Sequence, residues 1–488
     1  MKFKEYNQEQ PWLIPPDIEE EIPRGDICRV INDVFDRIDI SHIEKQYGEE
    51  GNTAFHPRMM LKVLFYAYHN GIMSSRRIRR ELEQNIYYWY LSGKQRPDFR
   101  TIANFRKKHT PDIEAIFLEI VKICHALGIA DVGLVAVDGT KIKANANRDS
   151  FKDRKWIEKE IGKERETIRR LLEKAETIDK EEDEQFGNKH GDEIPEELHD
   201  REARLRKLED LIDSLEKKKT KRISETDRDA SLMRDKGRFI PAFNCQAVID
   251  VNTGVILAGD VITTGNDSGQ IRPLVEQMQN TLGQKPEILL ADAGYSEGSD
   301  LRYLHEEGIK GLIPDRNIRD IARERERTLP PVKQFKKSQF RYDKRKDVYI
   351  CPEGKELAPI STSPTIEKRL NNYAVGSVQY QCKECKTCKN RTLCCSGKRN
   401  RCIRRYEDED IREKTNRLIR SDEGYELYKM RSKSIEPVFG HIKENLGFRA
   451  FSMRGLIKTR GEFLLLATLH NIGKITRAMG GNTGSVTV

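Results

Sequence analysis

The sequence predicts an α/β protein, a sheet-bearing core interrupted and flanked by helical segments. Three observations lead there. Two short apolar runs, at 134–137 and 288–291, each stop at an aspartate closely followed by glycine, Asp138-Gly139 and Asp292-Ala293-Gly294, the pattern of a buried strand ending in a tight turn. Phe239 to Asp250 and Val255 to Thr263 read as strands joined by Asn252-Thr253-Gly254, a hairpin signal. Residues 150–225 are charged and nearly free of glycine. There Trp156, Ile157, Ile161, Ile168, Leu171 and Leu172, then Leu205, Leu208, Leu211, Ile212 and Leu215, recur at helical spacing on either side of a polar break at 185–196.

Taken in order, residues 1–50 read as an arm and a helix. Residues 51–130 form a helical, DNA-binding domain. In it an apolar helix, HPRMMLKVLFYAYHNG, ends at Gly71, Ser74 and Ser75 cap a second helix, and Thr101 caps a third. The second helix carries Arg76, Arg77, Arg79 and Arg80, candidate DNA contacts; the same residues would also suit a solvated basic face. Residues 131–149 open the core, 150–225 form a coiled-coil-like helical hairpin insert, and 226–315 return to the core through the strand hairpin, a helix near 269–281, the strand ending at Asp292, a helix at 300–307 and a short strand. A basic, Cys-rich insert spans 316–425. Core helices follow at 426–480, the last at 456–478, and 481–488 form a disordered tail.

At 488 residues the chain exceeds one domain, and its charged fraction of 34% against 7% aromatics implies a large surface over a modest core. The net charge of +9 points to a polyanion, diluted by many acids. The first sixteen residues lack the apolar segment of a secretory leader, and no apolar run reaches the ~18 residues of a membrane span, so a soluble cytoplasmic protein with no membrane partner is expected. No GxxxxGK[ST] loop occurs, which argues against a nucleotide cofactor.

The acids carry the chemistry. Strand C-termini are where open α/β sheets bind ligands, so Asp138 and Asp292 would be held rigidly at one edge. Glu436 lies on a helix of apolar and basic residues, with Tyr428 and Arg431 before it and Lys443 after it. Three carboxylates in this order suit two Mg²⁺ or Mn²⁺ ions, hard cations that take oxygen ligands and promote phosphodiester chemistry. Read singly, each aspartate would be a turn residue and Glu436 a surface acid.

The segments VAVDGTKIKANA, LADAGYSEG and YKMRSKSIEPVFGHIKENLGFRAFSMRG resemble the three acidic blocks of the DDE transposases of bacterial insertion sequences. FHPRMMLKVLFYAYHNGIMSSRRIRRELEQN, QRPDFRTIANFRKKH, RDASLMRDKGRFIPAFNCQAVID and TTGNDSGQ resemble other parts of that group, so the likeness spans most of 10–475. The resemblance implies an RNase H-like catalytic core with Asp138, Asp292 and Glu436 as its metal-binding triad. It also implies a Tyr428, Arg431, Glu436, Lys443 signature that grips DNA. Four residues separate Arg431 from Glu436 where the commonest form has three, so Lys433 or Arg449 stand as alternatives to Arg431. The implied reaction is hydrolysis at the element's terminal inverted repeats, then attack of the freed 3′-OH on target DNA, by a nucleoid-associated protein that is a homodimer in the DNA complex. Cutting without joining would instead mark a structure-specific nuclease. A catalytically inactive DNA-binding protein, or a coiled-coil assembly protein suggested by 150–225, are the readings from other classes.

Seven of the ten cysteines lie between Cys351 and Cys402, the clustering of a metal site in an intracellular chain. Cys385, Cys388 and Cys394, with Cys351 or Cys382, are the candidate ligands of a structural Zn²⁺ that would knit an insert too small for its own core. An iron–sulfur cluster and free thiols remain alternatives. Cys28, Cys124 and Cys245 read as small core residues, His470 and Asn471 as structural, and Asp250 and Asp267 as turn residues.

Overall fold

A computed structural model describes residues 17–48, 53–186, 196–235, 237–315, 321, 335–360, 365–368, 374–395 and 399–480. The expected arm before residue 17, most of 316–334 and the expected tail at 481–488 lie outside the described residues.

The chain opens with helices α1 (Ile18–Glu21), α2 (Ile27–Arg37), α3 (Ser41–Glu44), α4 (Pro57–His69), α5 (Ser75–Gln84), α6 (Ile86–Ser92), α7 (Phe99–His109) and α8 (Ile113–Ala126). Helix α4 is buried along nearly its whole length, as its apolar sequence demands. Two caps differ from expectation. Ser74 is the N-cap of α5 without a side-chain hydrogen bond, and Asp98, not Thr101, caps α7 by accepting from the Arg100 N–H at 2.8 Å. Asp98 stands just outside the helix, where a carboxylate reaches an orphan N–H; Thr101 is already inside the first turn.

A six-stranded sheet follows. Its strands are β1 (Leu134–Lys143), β4 (Ser231–Asp235), β5 (Arg238–Asp250), β6 (Ile256–Ile262), β7 (Ile288–Ala291) and β8 (Lys310–Leu312). β1 pairs antiparallel with β5 on one side and parallel with β7 on the other, and β8 extends the parallel half. β4 and β6 share the far edge of β5. Between β1 and β4 the chain inserts a small ladder, β2 (Phe151–Asp153) with β3 (Arg222–Ser224), and two long helices, α9 (Arg154–Phe186) and α10 (Glu196–Lys217). These helices bury Ile157, Ile161, Leu208, Leu211 and Leu215 together, whereas Leu172 is exposed. Helices α11 (Ile271–Leu282) and α12 (Gly298–Glu306) flank β7 in sequence.

Strand β1 does not stop at Asp138. It runs on to Lys143 because β5 pairs with it along the whole length, from Val135 opposite Asp250 to Lys143 opposite Ala242. Gly139 is therefore a strand residue, not a turn.

The Cys-rich region holds a second six-stranded sheet: β9 (Arg341–Asp343), β10 (Val348–Ile350), β11 (Glu356–Pro359), β12 (Thr365–Lys368), β13 (Ala374–Cys382) and β14 (Cys402–Tyr406). It has a core of its own, contrary to expectation: Phe340, Tyr349, Leu357, Tyr380 and Ile403 pack with Cys382, Cys385 and Cys394. The rings of Tyr342, Tyr349 and Tyr380 meet at 5.0–6.0 Å, and Arg405 lies 3.7 Å from the Tyr342 ring centre, so a few aromatics supply what length cannot. After a short helix, α13 (Arg391–Cys394), the chain closes with α14 (Glu409–Arg420), α15 (Asp422–Gly440) and α16 (Leu456–Gly480).

Helix α16 ties the N-terminal helices to the sheet. Phe463 and Leu464 lie against Gly259 of β6, and Glu462 accepts from the buried Tyr68 hydroxyl of α4 at 2.9 Å. Gly461 meets the Thr110 carbonyl so closely that no side chain fits between them.

Candidate active site

Parallel pairing of β1 with β7 ends at Val137 opposite Ala291, and the next residue on each strand is an aspartate, Asp138 and Asp292. The register thus sets the two carboxylates side by side. Asp138 continues its strand. Asp292 leaves its own and caps a tight turn, accepting from the Gly294 N–H at 2.7 Å. Helix α15 packs across β1 and β7 and supplies the counter-charge: Arg431 Nη1 lies 3.0 Å from Asp138 Oδ2. The Gly139 N–H donates to Asp138 Oδ1 at 2.9 Å.

Burial pushes the Asp138 carboxyl up to about 6; Arg431 works against that rise and the charge of Asp292 adds to it. Arg431 itself is held above its ordinary value: burial opposes this, and Asp138, Tyr428 and Asp292 outweigh it. Tyr428 is buried, with Arg431 Cζ 6.0 Å from its ring centre, so in this state it braces Arg431 and is not presented for stacking on a nucleotide. Lys443 Nζ donates to Thr140 Oγ1 at 2.6 Å, and Thr140 shares the Asp138 face of β1.

Glu436 is five residues beyond Arg431, about 140° around the helix, and is exposed. It has no hydrogen bond or ion pair among the described residues. Among those residues no three His, Cys, Asp or Glu side chains converge closely enough to hold a metal ion. The structure therefore brings Asp138, Asp292, Arg431 and Tyr428 together, sets Lys443 on the same strand face, and leaves Glu436 on the open side of the helix. Pro437 follows directly and has no N–H for the Lys433 carbonyl, and a π-helical turn runs from His441 to Asn445. Neither alternative to Arg431 lies at Asp138: Lys433 lines a separate cleft, and Arg449 pairs with Glu444.

One acid read as a turn residue belongs to this neighbourhood. Asp267, on the β6–α11 loop, accepts from Asn244 Nδ2 at 2.8 Å and Gln246 Nε2 at 2.7 Å. A Cβ on Gly139 would fall 2.6 Å from Asp267 Oδ1 and also onto the Gln246 amide. A Cβ on Gly294 would fall 2.9 Å from Asp292 Oδ1 and 3.2 Å from Asp267 Oδ2. Asp267 is thus wedged behind Asp138 and against the turn that carries Asp292. Tyr295 extends the network by donating to Gln246 Oε1. Asp250, by contrast, is wholly buried and caps its own turn, accepting from the Asn252 N–H and the Thr253 hydroxyl.

Away from the sheet, Arg76, Arg77 and Arg80 are exposed on α5, with Arg76 over the Phe99 ring at 5.2 Å, while Arg79 pairs with Glu83 at 2.9 Å. Cys351, Cys382, Cys385, Cys388, Cys394 and Cys395 line one small cavity of ≈ 20 Å³. The Arg401 N–H points to Cys385 Sγ at 3.4 Å and the Lys355 N–H to Cys351 Sγ at 3.2 Å. Cys395, absent from the expected ligand set, belongs to this group.

Residues 16–108 match the family model described as a transposase domain (DUF772), and residues 350–476 match the one described as a transposase DDE domain. The second match includes Glu436, Arg431, Tyr428 and Lys443 and excludes Asp138 and Asp292. No curated protein and no solved structure matches the chain.

Proposed function

From two transposase-domain matches in one chain, we propose a DNA transposase that cuts phosphodiesters at the ends of an insertion sequence and joins them to target DNA. The observation that carries the reading is the register of β1 and β7, which sets Asp138 beside Asp292 with Arg431 between the sheet and α15. The mixed sheet, antiparallel through β6, β5 and β1 and parallel through β7 and β8, supports the RNase H-like core that the resemblance implies.

Asp138, Asp292 and Glu436 would hold Mg²⁺ or Mn²⁺. Asp138 and Asp292 fit as they stand: both are carboxylates, and one arginine faces them, which leaves negative charge for a divalent cation to balance, whereas Glu436 lies on the open side of α15 and does not converge with them. Bound there, the ions would polarise the scissile phosphodiester and activate the attacking hydroxyl. Around them, Lys443 and Arg431 would position phosphates, Tyr428 would fix the Arg431 guanidinium, and Gly139 and Gly294 would keep the strand and turn close to Asp267. The thiols around the second sheet are donors of the kind a structural Zn²⁺ takes, and to hold it they would have to draw closer than they stand, since no three of the described ones converge. Two element ends imply two copies of the chain on DNA. Among the described residues no helix is long and apolar enough to cross a membrane.

The test is incubation of the purified protein with candidate element ends, target duplex and Mg²⁺, with the nicked strands mapped. Metal-dependent nicking and joining, lost in Asp292→Ala, is expected. Nicking that survives Asp292→Ala removes that residue from the site, nicking without joining favours a nuclease, and no nicking at any end overturns the reading.

A further inference from the structure

Helix α15 has a second charged flank. Lys433 follows Arg431 by two residues, about 200° around the helix, and so lies away from Asp138. It lines a cleft of ≈ 420 Å³ between α15, α16 and the β5–β6 turn, together with His441, Lys474 and Arg477. We propose that this cleft is a second phosphate site, which takes the backbone of the duplex lying across α15 beside the cleaved bond; the inference rests on the transposase reading above.

In the cleft the cations Lys433, Lys474 and Arg477 outnumber the one acid that acts on them, Asp250. Among the described residues neither Lys433 nor Arg477 has an ion-pair partner. Lys474 gives one hydrogen bond, to the Thr253 carbonyl at 2.5 Å, and an ammonium has three protons to give. The charged groups act on one another: burial and Arg477 lower the proton affinity of Lys474 while Asp250 raises it, and burial, Arg477, His69 and Lys474 lower that of His441. The acid of the adjoining turn, Asp250, is fully buried, and its oxygens accept from the Asp131 N–H at 3.0 Å, the Asn252 N–H at 2.8 Å and the Thr253 hydroxyl at 2.7 Å.

The carbonyls that would repel an anion are also consumed. Lys474 takes that of Thr253, and His470 Nε2 takes that of Gly254 at 2.9 Å. With Nε2 donating, the neutral His470 ring accepts at Nδ1 from His441 Nδ1, 3.2 Å away. Gly254 has φ +72°, and a Cβ there would fall 3.1 Å from Lys474 Nζ, so the turn closes on the ammonium as only glycine readily permits. Two of the residues lining the cleft, Lys433 and Arg477, are exposed cations. A repeating polyanion that reaches Arg431 on one flank of α15, and Lys443 in the turn after it, can reach these on the other flank.

The experiment uses the full chain and a fluorescent duplex, with affinity measured against salt concentration. Each phosphate contact contributes about 0.9 to the salt slope, so Lys433→Ala/Arg477→Ala is expected to lower that slope by about 2 and weaken binding about 10- to 100-fold at moderate salt. Arg206→Ala/Lys217→Ala, which removes the same charge from α10, is the control and should change the slope little. Thermal unfolding checks that both variants are folded. An unchanged slope in the cleft variant, or an equal loss in the control, overturns the proposal. So does an inorganic phosphate titration that saturates the cleft without competing with the duplex, which would mark a free-anion site. A wild-type chain that binds no duplex would instead sink the transposase reading itself.

Discussion

Replacing Gly139 by alanine is the most informative single change in the sheet, because the backbone there is ordinary and only space forbids a side chain. Gly139 sits in β1 opposite Gln246 and is not among the positive-φ residues. On backbone grounds alone alanine should stabilise, by about 0.4–1 kcal/mol. The added Cβ, however, would fall 2.6 Å from Asp267 Oδ1 and 2.9 Å from Asn244 Oδ1, and onto Gln246 Nε2. The three side chains are tied together, Asn244 Nδ2 and Gln246 Nε2 both donating to Asp267 Oδ1 at 2.7–2.8 Å, so they cannot swing aside independently. Overpacking of this kind costs about 1–3 kcal/mol, so a net loss of about 1–2 kcal/mol in urea or thermal unfolding is expected. Asp138 is the preceding residue, so DNA nicking should fall by more than the folded fraction does. Shortening the obstacle in the same chain, with Gln246→Ala, should recover part of the loss through a coupling of about 0.5–3 kcal/mol. A Gly139→Ala protein as stable and active as the parent would refute the close packing of Asp267 behind β1.

Four further changes follow from the same structure. Gly461→Ala should cost at least as much as Gly139→Ala, about 3 kcal/mol, since its Cβ meets the backbone carbonyl of Thr110 and not a movable side chain; an unfolding midpoint equal to the parent's would contradict the packing of α16 on the N-terminal helices. Arg431→Ala should abolish measurable nicking and destabilise by about 1.5–3 kcal/mol, the range for a hydrogen bond to a charged group, with Arg431→Lys rescuing stability better than activity. Asp300, held up to about 7 chiefly by burial although it accepts from the Gly269 N–H at 2.7 Å, keeps its proton in the folded chain after the unfolded chain has lost it. The parent should therefore lose stability between about pH 4 and pH 7 relative to Asp300→Asn and run parallel to it above pH 7; identical pH profiles would show that Asp300 ionises normally. Zinc released by thiol modification should amount to about one ion per chain and vanish in Cys385→Ser, and metal-free protein of unchanged stability would leave the cluster as plain thiols.

Much of the core was legible because its strands obey simple patterns. The runs before Asp138 and Asp292, and the hairpin at Asn252-Thr253-Gly254, became β1, β7, and β5 with β6. The far half of β1 was hidden by its own composition: Gly139-Thr140-Lys141 reads as a turn, and only pairing with β5 keeps it extended. The six short strands of the second sheet escaped because strands of three to nine residues among lysines and arginines show no period to read. Asp267 reads as a turn residue in ITTGNDSG, and nothing in that segment points it toward Asp138. A signal did exist elsewhere: Asn244 and Gln246 alternate on one face of an apolar strand, both fully buried. Two buried amides need partners, and that demand was the available pointer to a carboxylate from another loop.

The helix that bears Glu436 divides its charges by angle, and this decides which basic residue faces which surface. Arg431 and Tyr428 are three residues apart and share the inward stripe with the buried Ile435 and Val438. Lys433 cannot join that stripe without turning α15 through about half a revolution, which would expose Ile435 and Val438 and bury a lysine. The apolar stripe thus fixes the rotation of the helix, and the rotation fixes Arg431 on Asp138. Spacing alone left Arg431, Lys433 and Arg449 as rivals; burial separates them. What the stripe does not hold is Glu436, which stands between the two basic flanks, followed by a proline that loosens the helix at that point.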